Sequence, residues 1–440
     1  MSYEALLALV LLVGGLLFLM ATGLPVAFCF TLVTLVGSVV YWGYEAGLGV
    51  FIDNIYESIS KFYILPIAMF MLMGQIMFRT GMGYNMLEVM DKWMGKLPGR
   101  LALLAVAFST LFATMSGSQM AAGSMMGTLL IPEMQKRGYA KEMTIGPILG
   151  AGGLAMMIPP SSLAILLGAI ANISIGKLLI GGLVPGLIMA ALYALYVVGR
   201  CLIQPSLAPA YEVKRIPITE KIRDTLYYVI PLGFIIFVVL VCIFLGWTTP
   251  TESAVLGATC SVVLAACYGK LKIRVLTQSV MSTVRLAAAI LMILTGAITF
   301  GQILAFSGVS RELASAISAL PLSPIMIVIC MQVSLLFIGT FMDTGSMVMV
   351  TMPIFMPIIL ALDVNPVWFG VLVLLNMEMS SVTPPIGMML FVMKGVAPEG
   401  TTMADVYRAG IPFLLCDLVA MILIMVFPSF ILWLPNLMRG

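Results

Sequence analysis

Four short polar clusters interrupt a chain that is otherwise strongly apolar. They are Ser116-Gly117-Ser118-Gln119, Pro159-Pro160-Ser161-Ser162, Gly339-Thr340-Phe341-Met342-Asp343-Thr344 and Ser380-Ser381-Val382-Thr383-Pro384-Pro385. Hydroxyl and amide groups dominate them, and such groups hold ions and small anions through lone pairs and hydrogen bonds. The clusters therefore indicate noncovalent binding.

The two double prolines are expected to break helices inside apolar runs. Proline has no N–H and prevents a bond to an earlier carbonyl, so a break leaves carbonyl oxygens without partners. Free carbonyls at such a break, or at the tip of a helical hairpin, coordinate Na⁺. Exposed helix N-terminal amides and hydroxyls instead suit a carboxylate.

Carboxylates inside the apolar runs are few. Asp343 is the only one near its cluster, and an acid at membrane depth is costly and a functional candidate by default. It either helps to hold Na⁺ or caps the helix that follows it, and the sequence leaves both open. Glu378 and Asp417 also lie in apolar runs, but no basic partner can be named for either.

Composition excludes a soluble protein. The 440 residues are 62% hydrophobic and 9% charged, with no histidine, whereas soluble domains carry about 25% charged residues. We therefore predict a polytopic, all-α membrane protein. Without histidine, and without acids or cysteines clustered at one membrane face, a membrane-embedded enzyme is not expected. The net charge of +3 gives no reason to expect nucleic acid.

Hydropathy predicts ten membrane crossings and two re-entrant hairpins, since about 20 apolar residues cross a bilayer as a helix. The simple spans are 5–21, 24–44, 62–80, 178–203, 227–246, 252–268, 286–306 and 409–435, and the broken ones are 144–171 and 366–394. The hairpins are 99–132 and 324–357, and segments 50–60 and 270–284 are predicted to be interfacial helices. This layout gives an odd number of crossings to each half of the chain.

The distribution of basic residues predicts the orientation. With the loop 81–98 on the cytoplasmic side, eighteen of the 22 Lys and Arg fall on that side and four on the other. Such a bias is what the positive-inside rule requires. Both termini are therefore predicted to lie outside.

The chain repeats itself at a spacing near 225. Gly74-Gln75 returns as Gly301-Gln302, and Pro159-Pro160 returns as Pro384-Pro385. We predict a first repeat over 1–203, a cytoplasmic linker over 204–226 and a second repeat over 227–440. Since each half has five crossings, one of them broken, and one hairpin, the halves insert in opposite directions, which is typical of secondary transporters.

The motifs resemble the large membrane subunit of tripartite ATP-independent periplasmic (TRAP) transporters over essentially the whole chain. The resemblance rests on Ser116-Gly117-Ser118, Ile158-Pro159-Pro160-Ser161, Gly339-Thr340-Phe341-Met342-Asp343, Met352-Pro353-Ile354-Phe355-Met356-Pro357 and Thr383-Pro384-Pro385-Ile386-Gly387. It implies a bacterial inner-membrane protein with periplasmic termini that imports an organic acid anion, such as a C4-dicarboxylate or sialic acid, on a Na⁺ gradient. It also implies an elevator-type motion, a small four-helix membrane subunit and a periplasmic substrate-binding protein as partners, and no cofactor beyond Na⁺.

The resemblance further implies two Na⁺ sites, one between each hairpin and the double proline of the same half. The expected Na⁺ ligands are Ser116, Gly117, Ser118, Pro159, Gly339, Thr340, Met342, Asp343, Thr383 and Pro384. Contacts to the substrate are expected from Ser118, Gln119, Ser161, Ser162, Asp343, Thr344 and Thr383. A stand-alone Na⁺/dicarboxylate symporter of the divalent-anion type shares the architecture and is the alternative.

Overall fold

The computed structural model describes residues 3–60, 64–95, 97–116, 119–209 and 216–438, and no β-strand occurs among them. The helices of the first half are α1 (Tyr3–Leu9), α2 (Gly15–Ala21), α3 (Val26–Trp42), α4 (Tyr44–Ser60), α5 (Ile64–Arg79), α6 (Met82–Met94), α7 (Arg100–Ser116), α8 (Gln119–Lys136), α9 (Lys141–Met157), α10 (Ser162–Ala171) and α11 (Ile175–Ile203). Those of the second half are α12 (Ile218–Asp224), α13 (Ile230–Phe244), α14 (Pro250–Cys267), α15 (Ile273–Phe306), α16 (Val309–Ser318), α17 (Pro324–Gly339), α18 (Thr344–Ala361), α19 (Pro366–Val382), α20 (Met388–Val396), α21 (Met403–Val426) and α22 (Ser429–Leu437). The predicted all-α class is confirmed.

Two π-helical turns connect helices end to end. Val10–Gly14 joins α1 to α2, and Thr225–Val229 joins α12 to α13. From there the two halves follow a similar order, with a hairpin pair (α7 and α8, α17 and α18) followed by a broken helix (α9 and α10, α19 and α20). This order agrees with the predicted repeat, while the opposite insertion of the halves stays a prediction.

Six helices among the described residues are long and apolar enough to cross a membrane, or up to eight if two bent pairs each count as one span. The predicted count of ten crossings stays a prediction, because several helices have only 16 or 17 residues. One of the bent pairs is α9 with α10, which turn by 46° at the first double proline. The break predicted at Pro159-Pro160 is therefore present.

Two predicted boundaries differ from the structure. The predicted interfacial segment 270–284 and the predicted span 286–306 belong to one continuous helix, α15. The first Gly or Pro in this helix is Gly296, so no such residue interrupts it between the two segments. The predicted span 409–435 is divided between α21 and α22 at Phe427-Pro428, where the proline lacks the N–H that would continue α21. The helix α12 also begins inside the predicted linker.

Ion pairs connect loops that the charge distribution places on one membrane face. The Nζ of Lys92, on α6, lies 2.8 Å from a carboxylate oxygen of Glu220 and 2.6 Å from one of Asp224, both on α12. Hydrogen bonds to Asp224 and Glu220 raise the pKa of Lys92 above its ordinary value. Lys141 pairs with Asp405 at 3.0 Å. These contacts show that the paired loops are neighbours, as one shared face requires.

The hairpins and broken helices interlock across the two halves. Within each half the first hairpin arm packs against the first part of the broken helix, α7 against α9 and α17 against α19. Between the halves, α8 packs against α20 and α10 against α18. Each short helix is thus held by the opposite half, and this exchange brings the four interruptions of the chain together.

Candidate functional site

A cavity of about 410 Å³ lies where four helices begin. The first residues of α8, α10, α18 and α20, which are Gln119, Ser162, Thr344 and Met388, all line it. The first turn of a helix carries unpaired N–H groups and the positive end of the helix dipole, so each of these termini favours a negative charge. Four of them around one cavity form an environment suited to an anion.

The double prolines explain why α10 and α20 begin at the cavity. The first proline pair follows the end of α9, and Ser161 then caps α10, its Oγ accepting a hydrogen bond from Ala164 N at 3.2 Å. The second pair follows the end of α19, and α20 begins at Met388 after Gly387. Since proline cannot donate into the preceding helix, each broken helix must restart, and it restarts here.

Asp343 caps α18 at the edge of the cavity. Its Oδ2 accepts a hydrogen bond from Ser346 N at 2.9 Å, and its Oδ1 accepts one from the Ser346 hydroxyl. The side chain also lines the cavity and is the only charged group among the described lining residues. Asp343 therefore caps α18, which is one of the two roles that the sequence left open. Capping does not prevent the other role, in which the carboxylate attracts a cation.

A hydrogen bond across the cavity wall joins the first hairpin to the second broken helix. The amide Nε2 of Gln119 donates to Ser381 Oγ at 2.6 Å, and both residues are buried and line the cavity. Ser381 in turn donates to the carbonyl of Glu378 at 2.7 Å.

The remaining lining is apolar. Gln75 is the other polar residue, and the apolar ones are Met71, Met120, Met156, Leu163, Leu166, Leu286, Ile290, Ile293, Met342 and Met349. No Lys or Arg occurs among the described lining residues, so an anion in the cavity would depend on backbone N–H groups and hydroxyls. Among the described lining residues no nucleophile is paired with a base, and the polar groups present are suited to binding.

Several predicted residues lie beside the cavity without being among its described lining. Thr383 caps the end of α19 and donates to Met379 O at 2.6 Å, and Thr340 caps the end of α17 and donates to Phe337 O at 2.8 Å. Gly339 ends α17 so close to α19 that a Cβ there would lie 2.6 Å from Ser380 Oγ. Their predicted role as Na⁺ ligands stays a prediction.

For the other predicted residues, only the position along the chain relative to the helices can be given. Pro159 and Pro384 occupy the breaks between α9 and α10 and between α19 and α20. Ser116 ends α7, and Gly117 and Ser118 lie outside the described residues. Their predicted roles stay predictions.

Two polar residues of the cavity lining, Gln75 and Ser381, were not among the predicted site residues. Gln75 belongs to the motif that repeats as Gly301-Gln302, but it was used only to define the repeat. Gln302 lines a different cavity of about 450 Å³, where its Oε1 accepts a hydrogen bond from Asn54 Nδ2 at 2.7 Å. A polar residue recurring at the same place in both halves was the signal that could have identified Gln75.

Interrupted helices that converge on a polar cavity inside a strongly apolar chain define a membrane transport protein. The fold is similar to that of the YdaH transporter from Alcanivorax borkumensis, with a TM-score of 0.64 and 15% identity over 88% of this chain and 90% of that one. At that identity the likeness concerns the fold alone.

The family profile described as tripartite ATP-independent periplasmic transporter, DctM component, matches residues 13–430, and the chain belongs to this family. The C4-dicarboxylate TRAP transporter large permease protein of Pseudomonas aeruginosa is 30% identical over 87% of this chain and 88% of its own. The sialic acid TRAP transporter large permease protein of Vibrio cholerae is 27% identical over 97% of this chain and 98% of its own. The resemblance noted in the sequence is confirmed, and the chain is a multi-pass transporter subunit, not an enzyme.

Proposed function

We propose that the chain carries an organic acid anion across the bacterial inner membrane, coupled to Na⁺, with the anion bound in the cavity at the four helix N-termini. The convergence of those N-termini is the observation that supports the proposal. In a cavity without a basic side chain among its described lining residues, their N–H groups and dipoles are what would balance a carboxylate. Relatives named for C4-dicarboxylate and sialic acid transport support an organic acid as the substrate.

Sodium coupling is supported by the chemistry around the cavity. The helices α7, α9, α17 and α19 each end a few residues before the start of a helix at the cavity, so their C-terminal carbonyls lie close to the proposed anion site along the chain. A Na⁺ held there, with Asp343 nearby, would offset the charge of the substrate. Each Na⁺ moving down a potential of 100 mV contributes about 2.3 kcal/mol, enough for two or three ions to concentrate an anion.

The full transporter would contain two further components. Membership of the TRAP family supports a small four-helix membrane subunit and a periplasmic binding protein that delivers the substrate. In the proposed elevator motion, the hairpins and broken helices that enclose the cavity move as a unit against the remaining helices. The packing of α8 on α20 and of α10 on α18 would keep that unit together during the movement.

Uptake into proteoliposomes tests this proposal. The chain is reconstituted with its small subunit, its binding protein and a radiolabelled organic acid, with an inward Na⁺ gradient. Accumulation is expected only when the gradient and the binding protein are both present. Accumulation without any binding protein would favour the stand-alone symporter, and flux that ignores the Na⁺ gradient would contradict coupled transport altogether.

Ser161→Ala is expected to impair uptake beyond its effect on stability. Losing an N-cap serine costs about 1 kcal/mol, and here it also alters the helix start that faces the cavity. The matched control is Ser174→Ala, since Ser174 caps α11 through a bond to Lys177 N at 3.4 Å, away from the cavity. Thermal unfolding should shift similarly in both variants, whereas uptake should fall only for Ser161→Ala. Equal uptake by the two variants would remove Ser161 from the site.

A further inference from the structure

Two carboxyl groups lie in the interior of the protein, away from the cavity just described. Glu378 on α19 and Asp417 on α21 have no exposed surface. The phenol of Tyr193, on α11 and also fully buried, donates a hydrogen bond to Asp417 Oδ1. None of these three side chains lines the cavity at the four helix N-termini. Tyr193 and Asp417 are hydrogen-bonded, and Glu378 lies on α19, which packs against both α11 and α21; the three side chains are here called the acid cluster.

The acid cluster is short of hydrogen-bond donors. Both carboxyl oxygens of Glu378 and the Oδ2 of Asp417 are buried and have no hydrogen-bond partner among the described residues. A buried carboxylate in this condition is strongly disfavoured, because it has lost water and gained no compensating bond. Unpaired acceptors of this kind indicate that a donor or a positive charge is bound there.

Glu378 is packed tightly against α9. A Cβ added to Gly153, on α9, would lie only 1.1 Å from Glu378 Oε2, so the carboxyl group occupies the space where another residue would have its side chain. The glycine lets the carboxyl group lie against the backbone of α9. The missing side chain at Gly153 therefore provides the space that the Glu378 carboxyl group occupies.

The cluster lies where the two predicted repeats meet. Tyr193 and Asp417 are 224 positions apart, and Gly153 and Glu378 are separated by 378 − 153 = 225 positions. Both separations are close to the spacing of the predicted repeat, so each contact joins residues at nearly equivalent positions of the two halves.

Among the described residues, no hydrogen bond or ion pair joins a basic group to Glu378 or Asp417. The ionisable residues on the helices that pack against α19 and α21 are Cys330, Lys141, Glu142, Lys177, Tyr193, Tyr196, Arg200, Cys201, Lys394, Asp405, Tyr407, Arg408 and Cys416. Of these, Tyr193 and Cys416 are the groups that face the two acids, and neither supplies a positive charge. Lys141 and Lys394 are engaged elsewhere, with Asp405 and the carbonyl of Thr401.

We propose that Glu378 and Asp417 form a proton-binding site, in which a proton taken from water resides on Glu378 and Tyr193 holds Asp417 in position. Protonation converts the Glu378 carboxylate into a neutral acid with an O–H donor, and Asp417 Oδ2 is the unpaired acceptor of the same cluster. A metal ion is a poorer occupant, because no group of three or more acidic, Cys or His side chains able to hold one occurs among the described residues. The site is distinct from the cavity and from the Na⁺ sites proposed beside it.

Infrared spectroscopy of the full-length chain in lipid nanodiscs tests the proposal. A protonated carboxyl group gives a C=O stretching band at a higher frequency than the bands of a carboxylate or an amide, so the band can be recognised. At neutral pH and without Na⁺, the wild-type protein should show such a band, and Glu378→Gln should lose it. The matched control is Glu399→Gln, because Glu399 lies exposed in a loop and its replacement should leave the band unchanged.

Each outcome decides the proposal. A band missing from the wild-type protein, or one unchanged in both Glu378→Gln and Asp417→Asn, overturns it. A band that Na⁺ removes from the wild-type protein at constant pH also overturns it, because the occupant would then be the metal ion. If Glu378→Gln does not fold, the shift of the band in Asp417→Asn is diagnostic, since Asp417 is the neighbour of the protonated group. Because the infrared measurement does not involve transport, its result does not depend on whether the proposed function is correct.

Discussion

Asp343→Asn is expected to raise the Na⁺ concentration needed for half-maximal uptake at least about tenfold, which corresponds to about 1.4 kcal/mol. Asparagine is as good an N-cap as aspartate, so the start of α18 should be preserved while the negative charge is lost. The substitution therefore separates the two roles that the sequence left open for Asp343. Uptake into proteoliposomes at graded Na⁺ concentrations measures the effect.

The controls follow from the hydrogen bonds of Asp343. Ser346→Ala removes the hydroxyl that donates to Asp343 but keeps both the charge and the bond from the Ser346 backbone, so Na⁺ dependence should change little. Asp53→Asn, at an exposed position on α4, should have no effect. Asp343→Ala should combine the weaker Na⁺ response with a loss of stability of about 1 kcal/mol.

A normal Na⁺ response in Asp343→Asn, together with poor folding of Asp343→Ala, would assign Asp343 to capping alone. Na⁺ binding would then depend on the carbonyls at the helix ends. Such a result would leave the anion site intact, because the four helix N-termini do not require that charge.

Several residues of the cavity lining were among the predicted site residues because a local interruption of an apolar run marked them. Gln119, Ser162 and Thr344 each follow a break in an apolar run, and each proves to be the first residue of a helix at the cavity. Polar residues next to prolines and glycines in a membrane segment are informative, because leaving backbone groups unpaired there is costly. The same reasoning could not separate Ser380 from Ser381. Successive helical residues point about 100° apart, and only the packing of α19 directs Ser381 toward the cavity.

Other features depend on contacts between distant parts of the chain. Glu378 had no partner that could be named from the sequence, because its surroundings come from α9, α11 and α21. Gln75 lies inside an uninterrupted helix, so no local break marks it as a cavity residue. Hydropathy alone also gave no sign that α21 ends before Pro428, since the residues on both sides are equally apolar. Long-range packing decides the first two, whereas Pro428 itself limits α21 because it lacks the N–H that would continue the helix.

Gly153→Ala is expected to prevent stable folding, and it has the largest effect on folding of any substitution considered. The new Cβ would lie 1.1 Å from Glu378 Oε2, 1.5 Å from its Cδ and 1.8 Å from its Oε1. The carboxyl group has no cavity to move into, because Glu378 is fully buried. Overpacking of a core costs about 1–3 kcal/mol or more, and displacing an acid that is already short of partners adds to it.

The neighbouring glycine provides a matched control. A Cβ at Gly152 would lie 3.3 Å from the terminal methyl of Met389, which is the flexible end of a side chain and can move aside. Gly152→Ala should therefore give a monodisperse protein with a melting temperature close to that of the wild type. Size-exclusion chromatography and thermal unfolding of the purified full-length chain compare the two variants.

A second substitution shows whether Gly153→Ala fails because of its clash with Glu378 or because α9 tolerates only glycine at this position. Glu378→Ala removes the carboxyl group that Gly153→Ala would strike, so the double variant should recover monodisperse protein that Gly153→Ala alone does not yield. Recovery would also show that the acid itself is dispensable for folding, as expected if its role is to hold a proton. Failure of the double variant, with Glu378→Ala folding normally, would instead mean that α9 requires glycine at this position for its own approach to α19.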